Sequence, residues 1–247
     1  MTADLQLIGP FAQLLPLTNL PERGAIRDEA LTVLPAGGLL VQNGNIVAVN
    51  DWETLRQTYP QAIHHPLDGT WVALPAFVDA HTHICFAGSR AMDFAARNAG
   101  VSYLDIARAG GGIWSTVQHT RAATQEELAT LMLQRLNTLL QQGVTTVEVK
   151  SGYGLSVEEE LKMLRAIRDA AAKHSVDVVP TCLAAHMTPK DFQGDATDWL
   201  HTILRKIVPS VESEHLCQRF DIFIEQSAFQ PAQATPFLQA LKAKGFP

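Results

Sequence analysis

TWVALPAFVDAHTH, Thr70 to His83, is the stretch that decides the fold. It carries no charge before Asp79, the pattern of a strand buried on both faces. It also divides the chain. Upstream the sequence reads as β-rich. Gly37 to Asn50 (GGLLVQNGNIVAVN) sets two apolar runs around Asn43-Gly44, the dipeptide preferred in a type I′ hairpin. A short helix is expected over Asp51 to Thr58, and Pro60, Pro66 and Gly69 punctuate the connection onward. Downstream the pattern alternates between helix and strand. Thr124 with Glu127 reads as a capping box; Leu128, Leu131, Leu136 and Leu139 follow at helical spacing, and Gly143 marks the stop. VTTVEVK (Val144 to Lys150) is the next strand. Ser156 with Glu159 repeats the box before a helix carrying Leu161, Leu164, Ile167 and Ala171. VDVVPTCLAAH (Val176 to His186) is a strand, Thr197 to Val208 a helix, FDIFIE (Phe220 to Glu225) a strand, and Ala234 to Lys244 a last helix. Further strand has room only between residues 84 and 120.

Strand, helix, strand in repetition implies parallel pairing with right-handed crossovers, as in a barrel or a doubly wound sheet. The β-rich start takes about 70 residues and leaves roughly 177, where a full (β/α)₈ barrel uses about 250. The sequence stops after a helix, where another strand is expected, so a partial barrel is the expectation. The domains are placed at 1–70 and 71–247.

Composition narrows the function classes. The 247 residues carry 19 Lys+Arg against 25 Asp+Glu, a formal net charge of −6, with 47% hydrophobic and 18% charged residues. That is a globular chain, not a disordered one. The pI of about 5.8 and the lack of basic clusters speak against nucleic-acid binding. No apolar run reaches the ~18 residues that span a bilayer, and the start has no basic region of a secretory signal. Three widely spaced cysteines, Cys85, Cys182 and Cys217, fit reduced thiols in a cytoplasmic setting.

The chemistry concentrates where strands end. His81 and His83 lie two residues apart, so both side chains leave the strand on the same side and two imidazoles can share one metal ion; the plainer reading is two unrelated histidines. The end of a parallel strand is where barrel enzymes place catalysis. A divalent metal needs at least three protein ligands, so others must come from elsewhere. Arg90 can hold a carboxylate bidentately, or pair on the surface with Asp93. Tyr153, in Lys150-Ser151-Gly152-Tyr153-Gly154, falls at the same barrel end and either overhangs a ligand or is an ordinary loop aromatic. Gly110-Gly111-Gly112 lacks phosphate-loop spacing; it lines a pocket or simply turns. His186 ends a strand on the same rim, as a ligand, a hydrogen-bond donor or a general acid/base, or as a structural histidine. Lys150 and Glu148 face the same way and read as an ion pair inside the barrel, carboxylation of Lys150 being the alternative.

PAFVDAHTHICFAGSRAMDF, YLDIARAGGGI, TTVEVKSGYGLSVEEELKMLRAI and CLAAHMTP, in that order, resemble the imidazolonepropionases of the amidohydrolase superfamily. The resemblance runs from about residue 5 to the end and corresponds to the first ~60% of such chains. It implies an α/β fold: a partial (β/α)₈ barrel of the amidohydrolase type, plus the N-terminal part of a composite β-sandwich domain. It implies hydrolysis of 4-imidazolone-5-propanoate to N-formimidoyl-L-glutamate with one zinc or iron ion. His81 and His83 would be metal ligands; Arg90, Tyr103, Tyr153 and His186 would bind the small anionic substrate. In the family the proton-shuttling carboxylate lies in a His-x-Asp-Glu motif whose His is a third ligand. These 247 residues contain no such motif and end at Pro247, where it is expected, so little activity is expected of the chain alone. No nucleic acid or membrane is expected as a partner, and a homodimer is left open. The competing readings are another amidohydrolase, such as a nucleobase deaminase, and a non-catalytic half-barrel used for binding or dimerisation.

Overall fold

The computed structural model describes residues 5–68, 70–226 and 228–247, with only the backbone of Tyr103, Leu104 and Ala107. The chain divides into two compact units, Met1–Ala76 and Phe77–Pro247.

In the first unit β1 (Leu5–Leu14) lies between β2 (Leu34–Gln42) and β4 (Ile63–Pro66), and β3 (Asn45–Asp51) extends the sheet beyond β2. β2 and β3 form the expected hairpin. Asn43 and Gly44 take φ of 51° and 78°, the two positive values that a type I′ turn requires. Asp51 then caps α1 (Trp52–Thr58), its carboxylate accepting the Thr54 N–H at 2.9 Å. Trp52 and Leu55 of α1 pack on Leu7, Leu40 and Ala62 as a small core. β5 (Val72–Ala73) pairs with the end of β1.

The second unit holds one parallel sheet in the order β6 (Phe77–Thr82), β7 (Val144–Lys150), β8 (Asp177–Ala185), β9 (Arg219–Ile222). Helices α2 (Ala91–Asn98), α3 (Tyr103–Arg108), α4 (Ile113–Ala122) and α5 (Gln125–Gln141) lie between β6 and β7. Next come α6 (Val157–Ala171) between β7 and β8, α7 (Ala196–Thr202) and α8 (Val208–Glu214) between β8 and β9, and α9 (Pro231–Ala243) after β9. Val147, Val149, Cys182 and Ala184 on one face of the sheet pack against Leu128, Met132 and Leu136 of α5 and Leu164 and Ile167 of α6. Burial of such apolar surface is what holds strand to crossover helix. The cysteines are unpaired and buried in this unit. Burial pushes the Cys85 thiol up to about 12 and Cys217 up to about 11, and Cys182 well above its ordinary value.

Several expectations need correction. The stretch read as one strand from residue 72 to 80 is two. Pro75 cannot donate to a ladder, so Val72–Ala73 pairs with β1 and a new strand starts at Phe77. That strand is not buried on both faces: it is the edge of its sheet, and Phe77 and Val78 are 57% and 66% exposed. Residues 84–120 hold helices and, among the described residues, no strand. The helix expected to stop at Val208 continues to Glu214: a π turn over Ile203–Ile207 precedes α8 and places Pro209 in the first turn of that helix, where its missing N–H is tolerated. β9 ends at Ile222, beyond which Ile224 makes only an isolated bridge, so Glu225 does not end a strand. Ser156 caps α6 through the Glu159 N–H, but the Glu159 carboxylate pairs with Lys162 instead of closing the box.

Candidate active site at the rim of the parallel sheet

Four parallel strands deliver their C-terminal ends to one rim. A register shift between Asp79 and Thr82 ends β6. Thr82 turns into the sheet, where its hydroxyl donates to the Glu148 carbonyl at 2.6 Å and its N–H to the Glu148 carboxylate at 3.2 Å. His81 and His83, on either side of Thr82, leave on the opposite side with ring centroids 5.3 Å apart. β7 hands the chain to the loop carrying Tyr153, whose ring is 5.8 Å from His83. His186, one residue past β8, stacks on His83 at 5.5 Å with an interplanar angle of 25°, and sits 5.5 Å from Tyr153. The structure thus brings together four of the six residues singled out from sequence. Phe86 and Phe223 complete the ring cluster, edge-on to Tyr153 and His186; apolar loop residues gave no signal in the sequence.

The electrostatics suit neutral imidazoles. Burial, reinforced by the neighbouring His186, His81 and Lys150 charges, lowers the His83 pKa from 6.5 to about 4. Its Nδ1 is buried with no hydrogen-bond partner, an orphaned lone pair or N–H of the kind that awaits a ligand. Burial also lowers the His186 pKa, the Gly152 carbonyl and Asp221 acting the other way. The His186 Nδ1 lies 2.9 Å from that carbonyl. A carbonyl only accepts, so Nδ1 carries the proton and the neutral ring keeps a lone pair on Nε2. Gly152 permits this closeness: its φ is +107°, and a Cβ there would lie 2.8 Å from the Leu183 carbonyl.

Below the rim, Lys150 donates to Glu148 at 2.7 Å and to Asp221 at 2.9 Å. Burial works to lower the Lys150 pKa, but the two carboxylates outweigh it and the net shift is upward. Lys150 is therefore an ammonium in an ion-pair cluster, and the carboxylated reading finds no support. Arg90 stands at the start of α2 and its Nε donates to Asp93 at 3.0 Å, the plainer of its two readings. Asp93 also accepts the Gly112 N–H at 2.8 Å, which ties the glycine triplet to the first turn of α2. Tyr103 begins α3, and its side chain lies outside the described residues. His81 and His83 are two donors; among the described residues no group of three or more His, Cys, Asp or Glu is arranged to hold a metal.

No protein-family model matches the chain. A curated imidazolonepropionase from Symbiobacterium thermophilum is 43% identical over 246 residues, 98% of this chain, and further proteins of that name match at 40–50%. The chain belongs to the imidazolonepropionase family. It spans 57% of the length of the Symbiobacterium imidazolonepropionase. Solved amidohydrolase-type structures share the fold at low identity: E. coli guanine deaminase (17% identical, TM-score 0.56, 97% of this chain and 50% of that one), and an Arthrobacter aurescens atrazine chlorohydrolase crystallised with zinc and atraton (16%, 0.54, 97% and 51%). These solved structures share the α/β architecture of this chain, in which the parallel sheet with its helices forms one unit and the β-rich region another.

Proposed function

We propose that the chain serves a metal-dependent hydrolase that opens the imidazolone ring of 4-imidazolone-5-propanoate to N-formimidoyl-L-glutamate, in histidine degradation. The observation that carries this reading is the convergence of His81, His83, Tyr153 and His186 on one rim in a chain 43% identical to an imidazolonepropionase.

The donor set fits a metal in part. His81 and His83 would hold one zinc or iron ion, and the orphaned, unprotonated His83 ring is the form that can ligate. When bound, the ion supplies a Lewis acid that polarises the ring carbonyl and lowers the pKa of a water toward ~7. The chain's own residues bind and orient. The Nε2 of His186 accepts a hydrogen bond from the substrate. Tyr153 covers the pocket from the β7 side. The Asp93 contact uses Nε of Arg90, and the terminal amino groups of the guanidinium engage the propanoate carboxylate, with Tyr103 assisting. Three buried unpaired thiols suit a cytoplasmic setting. Because the third histidine ligand and the proton-shuttling Glu belong to a motif these 247 residues do not contain, we expect weak metal binding and little turnover from them alone.

Calorimetric titration tests both halves. Zinc binding should weaken further in His81→Ala and in His83→Ala, and binding of N-formimidoyl-L-glutamate should be lost in Arg90→Met. Zinc affinity indifferent to both histidines, or product affinity indifferent to Arg90, overturns the proposal. Retained affinity for a neutral purine in Arg90→Met would point to a nucleobase deaminase instead.

A further inference from the structure

We infer that Glu160 is a positioning residue for the rim: its carboxylate fixes the loop at Gly152–Leu155 and, through the Gly152 carbonyl, the orientation and tautomer of the His186 ring. Glu160 lies in the first turn of α6 and is 0% exposed. One of its oxygens accepts the Gly152 N–H at 3.0 Å; the other accepts those of Gly154 and Leu155, both at 2.8 Å. The Ser151 hydroxyl is a further partner. Burial pushes the Glu160 carboxyl pKa up, and the donors from Ser151, Leu155, Gly154 and Gly152 act the other way; every partner donates and none accepts, so the carboxylate is the form this cradle fits. The gripped amides flank the Gly152–Tyr153 peptide on both sides. That peptide's carbonyl is the acceptor of His186 Nδ1 at 2.9 Å, and its next residue carries the Tyr153 ring. From the other side, the Arg121 guanidinium donates to the Gly154 and Leu155 carbonyls at 2.6 Å each. The loop is thus held by an anion on its N–H groups and by a cation on its carbonyls.

The inference rests on the reading of this rim as a site, but its test does not use substrate or metal. In the unmodified 247-residue chain, nitrogen-15 NMR should show His186, assigned by comparison with His186→Asn, as a single tautomer protonated on Nδ1. Hydrogen exchange at Gly152, Gly154 and Leu155 should be as slow as in β7. In Glu160→Gln, one oxygen is replaced by a donor facing donors; His186 should become a mixture of tautomers and the three amides should exchange roughly tenfold faster or more. Exchange at Val147 and Val149 should not change. Glu160→Asp keeps the charge and should restore the Nδ1 tautomer in part. A protonated Nε2 in the unmodified chain overturns the inference outright, even where Glu160→Gln fails to fold. So does a Glu160→Gln chain that melts earlier while His186 keeps its tautomer, because that is a structural role only. Failure of zinc or product binding, by contrast, counts against the hydrolase reading alone.

Discussion

His83 owes its character to where the strand stops. Thr82 is drawn into the sheet by Glu148, and the two flanking imidazoles are thereby pushed out toward Tyr153 and His186. The i, i+2 spacing made this legible in the sequence, because strand geometry alone puts both rings on one side. Arg90 was legible only as two alternatives, and the contact with Asp93 is one that a local i, i+3 pair makes without any ligand. Glu160 was not legible. In Glu158-Glu159-Glu160 it reads as one of three acids at a helix N-terminus, and only the tertiary fold turns it inward. A single-atom test of that packing lies at Gly154, where an added Cβ would sit 2.5 Å from the backbone of Glu159 and Glu160. Backbone cannot step aside as a flexible side chain can. Gly154→Ala should therefore destabilise the chain by about 1–3 kcal/mol, read as a lower urea midpoint; an unchanged midpoint would show that the loop relaxes freely.

At the scale of elements, local chemistry predicted local structure well. Thr124 with Glu127 before α5 and Asn43-Gly44 between β2 and β3 behave as read, and the short helix expected from Asp51 forms with Asp51 as its cap. These signals are contained within four or five residues, so tertiary context had little room to override them. In α5 the cap is reciprocal: the Thr124 hydroxyl accepts the Glu127 N–H, and the Glu127 carboxylate accepts the Thr124 N–H at 2.7 Å. Thr124→Ala leaves an amide of the first turn without its acceptor and should cost about 1 kcal/mol, measured by thermal unfolding; Thr124→Ser should lose little. One local reading failed, the box at Ser156, because Glu159 pairs with Lys162 three residues on; the other misses have long-range causes. The split at Pro75 depends on which sheet each half joins, and the passage of a helix through Pro209 depends on a π turn packed into the core with Ile203 and Ile207. Neither partner is visible from the residues alone.

At the scale of the molecule, the alternation of strand and helix after residue 77 was enough to expect a parallel sheet, because such units wind in one sense. The convergence of strand ends on one rim followed from that topology, which is why His186 could be paired with His81 and His83 across a gap of more than a hundred residues. The burial of individual strands could not be foreseen: an apolar run looks alike at the centre and at the edge of a sheet, and the exposed Phe77 and Val78 show β6 to be an edge. The placement of the cysteines has a practical consequence. All three stand in the second unit, buried and with thiol pKa values raised by that burial, while the first unit has none. A maleimide or aromatic disulfide reagent reacts with the thiolate, so it should leave the native chain unlabelled and become a clock for the opening of the parallel half alone, silent to events in the other. Three rapid equivalents taken up in the absence of denaturant would mean that this half breathes far more than its close packing suggests.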